Sequence, residues 1–133
     1  MDDLRAFLAC VKFANDARET CAHAKGSIMG VRSENVQDGN IGETLTSLAA
    51  TIHGRREASP DESYTARLLC DVEDELLKKI AEEASEVIMA CKDNDHDHIR
   101  YEAGDLMYHL LVVFERYGIT LPELAGELNV RMK

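Results

Sequence analysis

Two pairs of acidic side chains are the residues in this sequence whose type and spacing best suit chemistry. Glu83 and Glu86 form the first pair, and Glu102 and Asp105 form the second. Side chains three residues apart on an α-helix project from one face, about 60° apart, because a turn takes about 3.6 residues. Either pair alone is also typical of an ordinary solvated helix face. Chemistry therefore requires a fold that brings the two pairs together.

The spacing of apolar residues predicts an all-α fold, a helical bundle built around an antiparallel helix hairpin. The chain has only two prolines, and β-branched residues rarely form alternating runs. We expect Ser63 or Thr65 to cap the third helix, Gly118 to close the fourth, and Thr120 to cap a short last helix. The first four predicted helices cover residues 3–23, 41–54, about 66–92 and about 97–117.

The polar turn KDNDHD is short enough to force the third and fourth helices into an antiparallel hairpin. Residues at one height in such a hairpin are equally far along the chain from its centre. With the centre at Asn94, Glu83 lies opposite Asp105 and Glu86 lies opposite Glu102. Four carboxylates are thus predicted at one level, about 12 Å from the turn.

Four negative charges at one level are tolerable only when protons or cations neutralise them. Oxygen ligands favour hard ions such as Mg²⁺, with Mn²⁺ also suitable, so we predict a divalent metal site at these four carboxylates. A di-iron bundle would need Glu-x-x-His on its helices. Met89 follows Glu86 by three residues and Asp105 follows Glu102, so the sequence disfavours that alternative.

Other polar residues lie near the predicted metal site. Lys79 and His109 lie opposite each other, one turn farther from Asn94. Lys79 is well placed to hold a phosphate, whereas His109 either donates a hydrogen bond to one or simply packs. Glu82 either reaches a second ion, orients a water molecule that attacks phosphorus, or faces solvent. The two turn histidines, His96 and His98, are assigned no role.

Composition argues against several classes of partner. The formal net charge is −10 and there is no Trp, so the basic stripes and stacking surfaces that hold nucleic acids are not expected. Arg5, Lys12 and Asp16 interrupt the first apolar run, which predicts neither a signal peptide nor a membrane span. The four cysteines form no CxxC pair. We expect a reduced, cytoplasmic protein.

Three segments resemble the phosphoribosyl-ATP pyrophosphatases, the second enzymes of histidine biosynthesis. They are SYTARLL at 63–69, KKIAEEASEVIMACKD at 78–93 and YEAGDLMYHLLVVFERYGI at 101–119. The resemblance covers about residues 41–131. The wider all-α nucleotide pyrophosphatase superfamily, with MazG-like and dUTPase-like members, shares mainly EExxE and ExxD. The longer segments therefore point to this family in particular.

The resemblance implies a homodimer in which the four carboxylates hold Mg²⁺. The implied reaction is hydrolysis of 1-(5-phosphoribosyl)-ATP to 1-(5-phosphoribosyl)-AMP and pyrophosphate. The candidate catalytic residues are Glu82, Glu83 and Glu86. The candidate metal ligands are Glu83, Glu86, Glu102 and Asp105. The candidate substrate-binding residues are Lys79, Arg67, Tyr64 and His109.

The resemblance also divides the chain into two parts. Residues 41–133 form the predicted all-α pyrophosphatase domain, and residues 1–40 form a helical extension and loop that match nothing in the family. Two alternatives remain open for the function. One is a house-cleaning nucleoside triphosphate pyrophosphatase of the same superfamily, and the other is a non-enzymatic acidic helical interaction module.

Overall fold

The computed structural model describes residues 36–132, and within this range it contains five α-helices and no strand. The predicted all-α fold is confirmed. The predicted helix at 3–23 and most of the loop that follows it lie outside the described residues. No helix in the described range is long and apolar enough to cross a bilayer. The helices are α1 (Ile41–Gly54), α2 (Tyr64–Cys70), α3 (Glu73–Lys92), α4 (His96–Tyr117) and α5 (Leu121–Arg131).

Helices α3 and α4 form the predicted hairpin, and they make the most extensive contact between any two of the described helices. Asn94 lies in the turn with a φ of 54°, a left-handed conformation that asparagine tolerates better than most residues. Asp95 caps α4, because its side chain accepts a hydrogen bond from the backbone N–H of His98 at 3.0 Å. The turn thus fixes the register of the two long helices.

The prediction of one continuous helix over residues 66–92 is wrong. Asp71 and Val72 adopt extended ψ angles of 169° and 134°, which separate α2 from α3. No glycine or proline marks this break in the sequence. Arg116 of α4 donates to the carbonyl oxygens of Leu68 at 3.2 Å and Asp71 at 2.9 Å. A tertiary contact therefore satisfies carbonyls that the end of α2 leaves open.

The core lies between α4 and the helices that surround it. Thr65 in α2 and Tyr108 in α4 share a buried hydroxyl–hydroxyl hydrogen bond of 2.8 Å, which ties the short helix to the long one. Burial of the apolar cluster is the main favourable contribution to folding. Its buried members are Ile52, Leu68, Leu76, Tyr108, Leu111 and Val112.

The helix ends follow the predicted caps. Of the two candidates at α2, the cap is Ser63, whose hydroxyl accepts from the N–H of Ala66 at 3.2 Å. Gly118 closes α4 in the left-handed conformation, with a φ of 69°. Thr120 caps α5 through a reciprocal capping box with Glu123.

Candidate active site

Three of the predicted metal ligands meet inside the α3–α4 hairpin. Glu83, Glu86 and Glu102 each bring one carboxylate oxygen within 4.8 Å of the other two. Glu83 and Glu102 are each only 2% exposed, although glutamate side chains usually lie on the exposed faces of helices. We call these three residues together with Asp105, which is 4% exposed, the carboxylate cluster. Asp105 does not belong to the tightest group, but its charge acts on Glu83.

The acidity of Glu83 is strongly perturbed. Burial, and then the negative charges of Asp105 and Glu86, raise the pKa of Glu83 to about 8. Its carboxyl group therefore holds a proton at neutral pH when no cation is present. Its Oε2 atom is buried and has no hydrogen-bond partner among residues 36–132.

A buried oxygen without a partner is costly, and a cation is one way to supply the missing interaction. The donor set consists entirely of carboxylate oxygens, which suits a hard divalent ion. The residues present therefore fit Mg²⁺ or Mn²⁺.

One contact of the cluster was missed from the sequence. Nε2 of His98 lies 2.7 Å from Oε1 of Glu102, four residues later on α4. The i,i+4 spacing was a usable signal, because such side chains are neighbours on a helix. His96, by contrast, is 87% exposed in its side chain and lies 3.6 Å from Asp97.

Lys79 and Glu82 form an ion pair next to the cluster. Lys79 Nζ lies 2.8 Å from Glu82 Oε2, and Lys78 Nζ lies 3.4 Å from Glu82 Oε1. The hydrogen bond from Lys79 lowers the pKa of Glu82, so this carboxylate stays ionised. Burial opposes the charge of Lys79, but the hydrogen bond and charge of Glu82 outweigh it and raise the pKa of Lys79. Lys79 therefore remains a cation.

His109 is fully buried and engaged at both ring nitrogens. Nδ1 lies 2.8 Å from the carbonyl oxygen of Asp105, which only accepts, so Nδ1 carries the hydrogen. Nε2 then accepts from the hydroxyl of Tyr64 at 3.3 Å. Burial also lowers the pKa of His109, which keeps the ring neutral. Of the two roles predicted for His109, this geometry favours packing over a direct hydrogen bond to phosphate.

Tyr64 and Arg67 bring the start of α2 to the same region. The Arg67 guanidinium lies 5.2 Å from the centroid of the Tyr64 ring, a cation–π geometry. Burial raises the pKa of Tyr64, and the charges of Lys79 and Glu83 also act on its hydroxyl. The hydroxyl is thus close enough to both cationic side chains and to the carboxylate cluster for their charges to act on it.

Taken together, the site pairs a buried anionic cluster with cationic groups at its edge. The anionic part suits divalent cations, and Lys79 and Arg67 suit phosphate groups. A bound divalent cation and cationic side chains can both offset negative charge during hydrolysis of a phosphoric anhydride.

Comparisons with known proteins agree with this chemistry. A sequence model of the family described as phosphoribosyl-ATP pyrophosphohydrolase matches residues 45–132. A phosphoribosyl-ATP pyrophosphatase of Nitrosomonas eutropha is 49% identical over 87 residues, which cover 65% of this chain and 74% of that protein.

Two further relatives show the same pattern. A phosphoribosyl-ATP pyrophosphatase of Nitrosospira multiformis is 43% identical over 89 residues, covering 67% of this chain and 74% of its own. A histidine biosynthesis bifunctional protein of Synechocystis is 42% identical over 91 residues, covering 68% of this chain and 42% of its own. In each case about a third of this chain lies outside the match.

Proposed function

Since the chain belongs to the phosphoribosyl-ATP pyrophosphohydrolase family, we propose that its carboxylate cluster holds Mg²⁺ for the hydrolysis of 1-(5-phosphoribosyl)-ATP. The products are 1-(5-phosphoribosyl)-AMP and pyrophosphate, and the reaction is a step of histidine biosynthesis. The enzyme is accordingly a hydrolase acting on phosphoric anhydrides. One observation carries the proposal: carboxylate oxygens of Glu83, Glu86 and Glu102 lie close together between two helices.

The four cluster residues, Glu83, Glu86, Glu102 and Asp105, are the proposed ligands of the cation. When bound, the cation supplies positive charge that neutralises phosphate oxygens and activates the attacking water. The hairpin contributes rigidity, because ligands on two packed helices keep their separation without reorganising. Mn²⁺ has similar ligand preferences and is expected to substitute.

Two cationic side chains are assigned to neutralise the substrate's remaining negative charge. Lys79 is held by Glu82 beside the cluster, and the exposed side chain of Arg67 lies over the ring of Tyr64. We propose that both hold phosphate groups of the substrate. Tyr64 fixes the ring of His109, and His109 in turn holds the backbone of Asp105. These two residues therefore hold the backbone of α4 in place beside the carboxylate cluster.

Proton acceptance from the attacking water is assigned to Glu82. Its side chain is 37% exposed, so a proton that it accepts has a path to solvent. Its hydrogen bond with Lys79 keeps it ionised but makes it a weak base. A weak base is sufficient where nearby positive charge already lowers the pKa of water. Glu83 and Glu86 remain the alternative acceptors among the candidate catalytic residues.

The first test is pyrophosphate release from 1-(5-phosphoribosyl)-ATP with and without Mg²⁺. Glu83→Gln and Asp105→Asn are each expected to lower activity by about 10²-fold or more, while circular dichroism shows unchanged helix content. Without metal, both variants should melt at the same or a higher temperature than the wild type, because Glu83→Gln removes the need to take up a proton on folding and Asp105→Asn removes a negative charge that acts on Glu83.

Glu75→Gln is the matched control, since it removes one carboxylate from an exposed position on the same helix. It should retain wild-type activity. Full activity in Glu83→Gln or Asp105→Asn would refute the metal assignment. A panel containing dUTP and other triphosphates separates this function from house-cleaning hydrolysis. An interaction module would instead show metal-dependent melting with no pyrophosphate release.

We also propose that the enzyme is a cytoplasmic homodimer. The described residues leave several large apolar side chains exposed: Ile88, Met89, Leu128, Val130 and Met132. A groove of about 500 Å³ also runs between α1, the end of α4 and the start of α5, and its apolar lining includes Phe114, Ile119 and Leu121. Apolar surface of this extent is typical of an interface. Cys70 and Cys91 are free thiols, which suits a reducing compartment.

A further inference from the structure

His98 makes a direct hydrogen bond to a buried member of the carboxylate cluster. Its Nε2 atom lies 2.7 Å from Oε1 of Glu102, which is 2% exposed. A carboxylate that binds a cation is ionised and can only accept hydrogen bonds, so in that state Nε2 of His98 carries the hydrogen and donates it. Hydrogen bonds to charged groups are about twice as strong as neutral ones. The bond is also shielded, because the His98 side chain is only 22% exposed.

The position of His98 is itself fixed by the hairpin turn. Asp95 accepts from the backbone N–H of His98 at 3.0 Å, and its carbonyl accepts from Ile99 N at 2.9 Å. His98 therefore lies in a capped first helical turn immediately after the left-handed residue Asn94. The side chain of His98 then reaches Glu102, one helical turn later.

We propose that His98 is a positioning residue, which holds the Glu102 carboxylate in the orientation that binds the divalent cation. This inference rests on the proposed function of the cluster. A glutamate has three rotatable side-chain bonds, and ordering them on binding costs free energy. A donor that fixes one oxygen beforehand reduces this cost. Residues that hydrogen-bond to a metal ligand typically change affinity by about 10- to 100-fold when replaced.

The test is the dissociation constant of Mn²⁺, measured on the full-length chain by electron paramagnetic resonance and calorimetry. His98→Leu removes the donor and should weaken Mn²⁺ binding at least about tenfold. His98→Gln places an amide N–H near the position of Nε2 and should bind within about threefold of the wild type. His96→Leu, which changes an exposed histidine in the same turn, should bind like the wild type.

Two results would overturn the positioning role: wild-type affinity in His98→Leu, or affinity in His98→Gln as weak as in His98→Leu. Melting of the metal-free variants checks that each is folded. Should His98→Leu not fold, His98→Ala makes the same donor-free comparison at this partly exposed position. A wild-type protein that binds no Mn²⁺ would refute the proposed function itself and the role of His98 with it. Wild-type binding that is unchanged in His98→Leu refutes the positioning role alone.

Discussion

At the scale of single residues, the cluster sets stability against function. Glu83 is buried beside Asp105 and Glu86, which raises its pKa because the charged form loses water and gains repulsion. An apolar side chain at the same place would pack without either cost. A cation bound at the cluster, as we propose, would offset both effects.

The first prediction at this scale concerns the stability of the metal-free protein as pH changes. The folded-state pKa of Glu83 is raised from 4.5 to about 8, so between these values the folded protein holds a proton that the unfolded chain releases. This contribution is fully present below pH 4.5 and is lost as the pH rises through about 8. The free energy of unfolding should therefore fall with rising pH, by at most about 1.4 kcal/mol per pH unit from this group.

Urea denaturation in the presence of a chelator, from pH 5 to pH 9, measures this dependence. Glu83→Gln should remove the fall, because the amide does not titrate. Glu75→Gln, which leaves the cluster intact, should keep it. Equal pH dependence in the wild type and in Glu83→Gln would contradict the assignment of the proton to Glu83.

At the scale of elements, the break between α2 and α3 allows α2 to contribute side chains to the candidate site. A continuous helix would carry residues 64–67 away along the axis of α3. The extended backbone at Asp71 and Val72 instead lets α2 pack on α4, where Tyr64 reaches His109. The same turn of α2 carries Arg67. A cationic side chain from a separate helix is thereby brought to the edge of the hairpin.

The end of α4 supplies a prediction about helix stops. Gly118 has a φ of 69°, and nothing lies within 4 Å of a Cβ placed there, so only backbone strain opposes a substitution. Gly118→Ala should lower the free energy of unfolding by about 1 kcal/mol, because the left-handed conformation is unfavourable for alanine. Gly126 in α5 also has open space where a Cβ would lie, but its φ is not positive.

Gly126→Ala is therefore the matched control, and it should raise the free energy of unfolding by up to about 1 kcal/mol. Thermal or urea denaturation of both variants checks the pair. Equal effects of the two substitutions would contradict the assignment of Gly118 as a strained helix stop.

At the scale of the whole molecule, apolar surface predicts association. An arc of apolar side chains on α4 is incompletely buried, since Tyr117 is 50% exposed and the others are partly buried: Leu106, Leu110, Val113 and Phe114. One hairpin cannot cover such an arc by itself. Sedimentation velocity at micromolar concentration should show a dimer. A stable monomer under those conditions would count against the proposal.

The last prediction concerns residues 1–40, which lie outside the family match and largely outside the described residues. Their apolar spacing predicts a helix that contributes stability rather than chemistry. Deletion of residues 1–38 should lower the melting temperature or solubility, while kcat stays within about threefold, a barrier change of about 0.65 kcal/mol. Steady-state kinetics with phosphoribosyl-ATP makes the measurement.

A slightly longer deletion is the control. Asn40 caps α1 by accepting from Gly42 N at 3.0 Å and Glu43 N at 3.2 Å. Deleting residues 1–40 removes this cap and should cost about 1 kcal/mol more stability than deleting residues 1–38. If a folded protein lacking residues 1–38 binds Mg²⁺ but hydrolyses nothing, the predicted loop at residues 24–40, which contains Arg32, belongs to the active site.

The sequence by itself determined the hairpin and the level of the acids. Helical periodicity and turn chemistry are local properties, so the boundaries of α1, the turn at Asn94 and the stop at Gly118 could be predicted. A short turn fixes the register in which the two helices that it joins lie side by side. That register was enough to predict that Glu83, Glu86 and Glu102 would meet.

Only the tertiary structure decided the features that depend on contacts between distant segments. At the break before α3, the Arg116 side chain near the C-terminal end of α4 donates to two carbonyl oxygens, a contact that no local pattern reveals. The neutral state of His109 follows from its burial, and its Nε2 atom accepts a hydrogen bond from Tyr64, which lies 45 residues away. His98 is the intermediate case, since its spacing from Glu102 was visible but its orientation was not. Local sequence fixes which face a side chain occupies, whereas burial and partners decide its charge and chemistry.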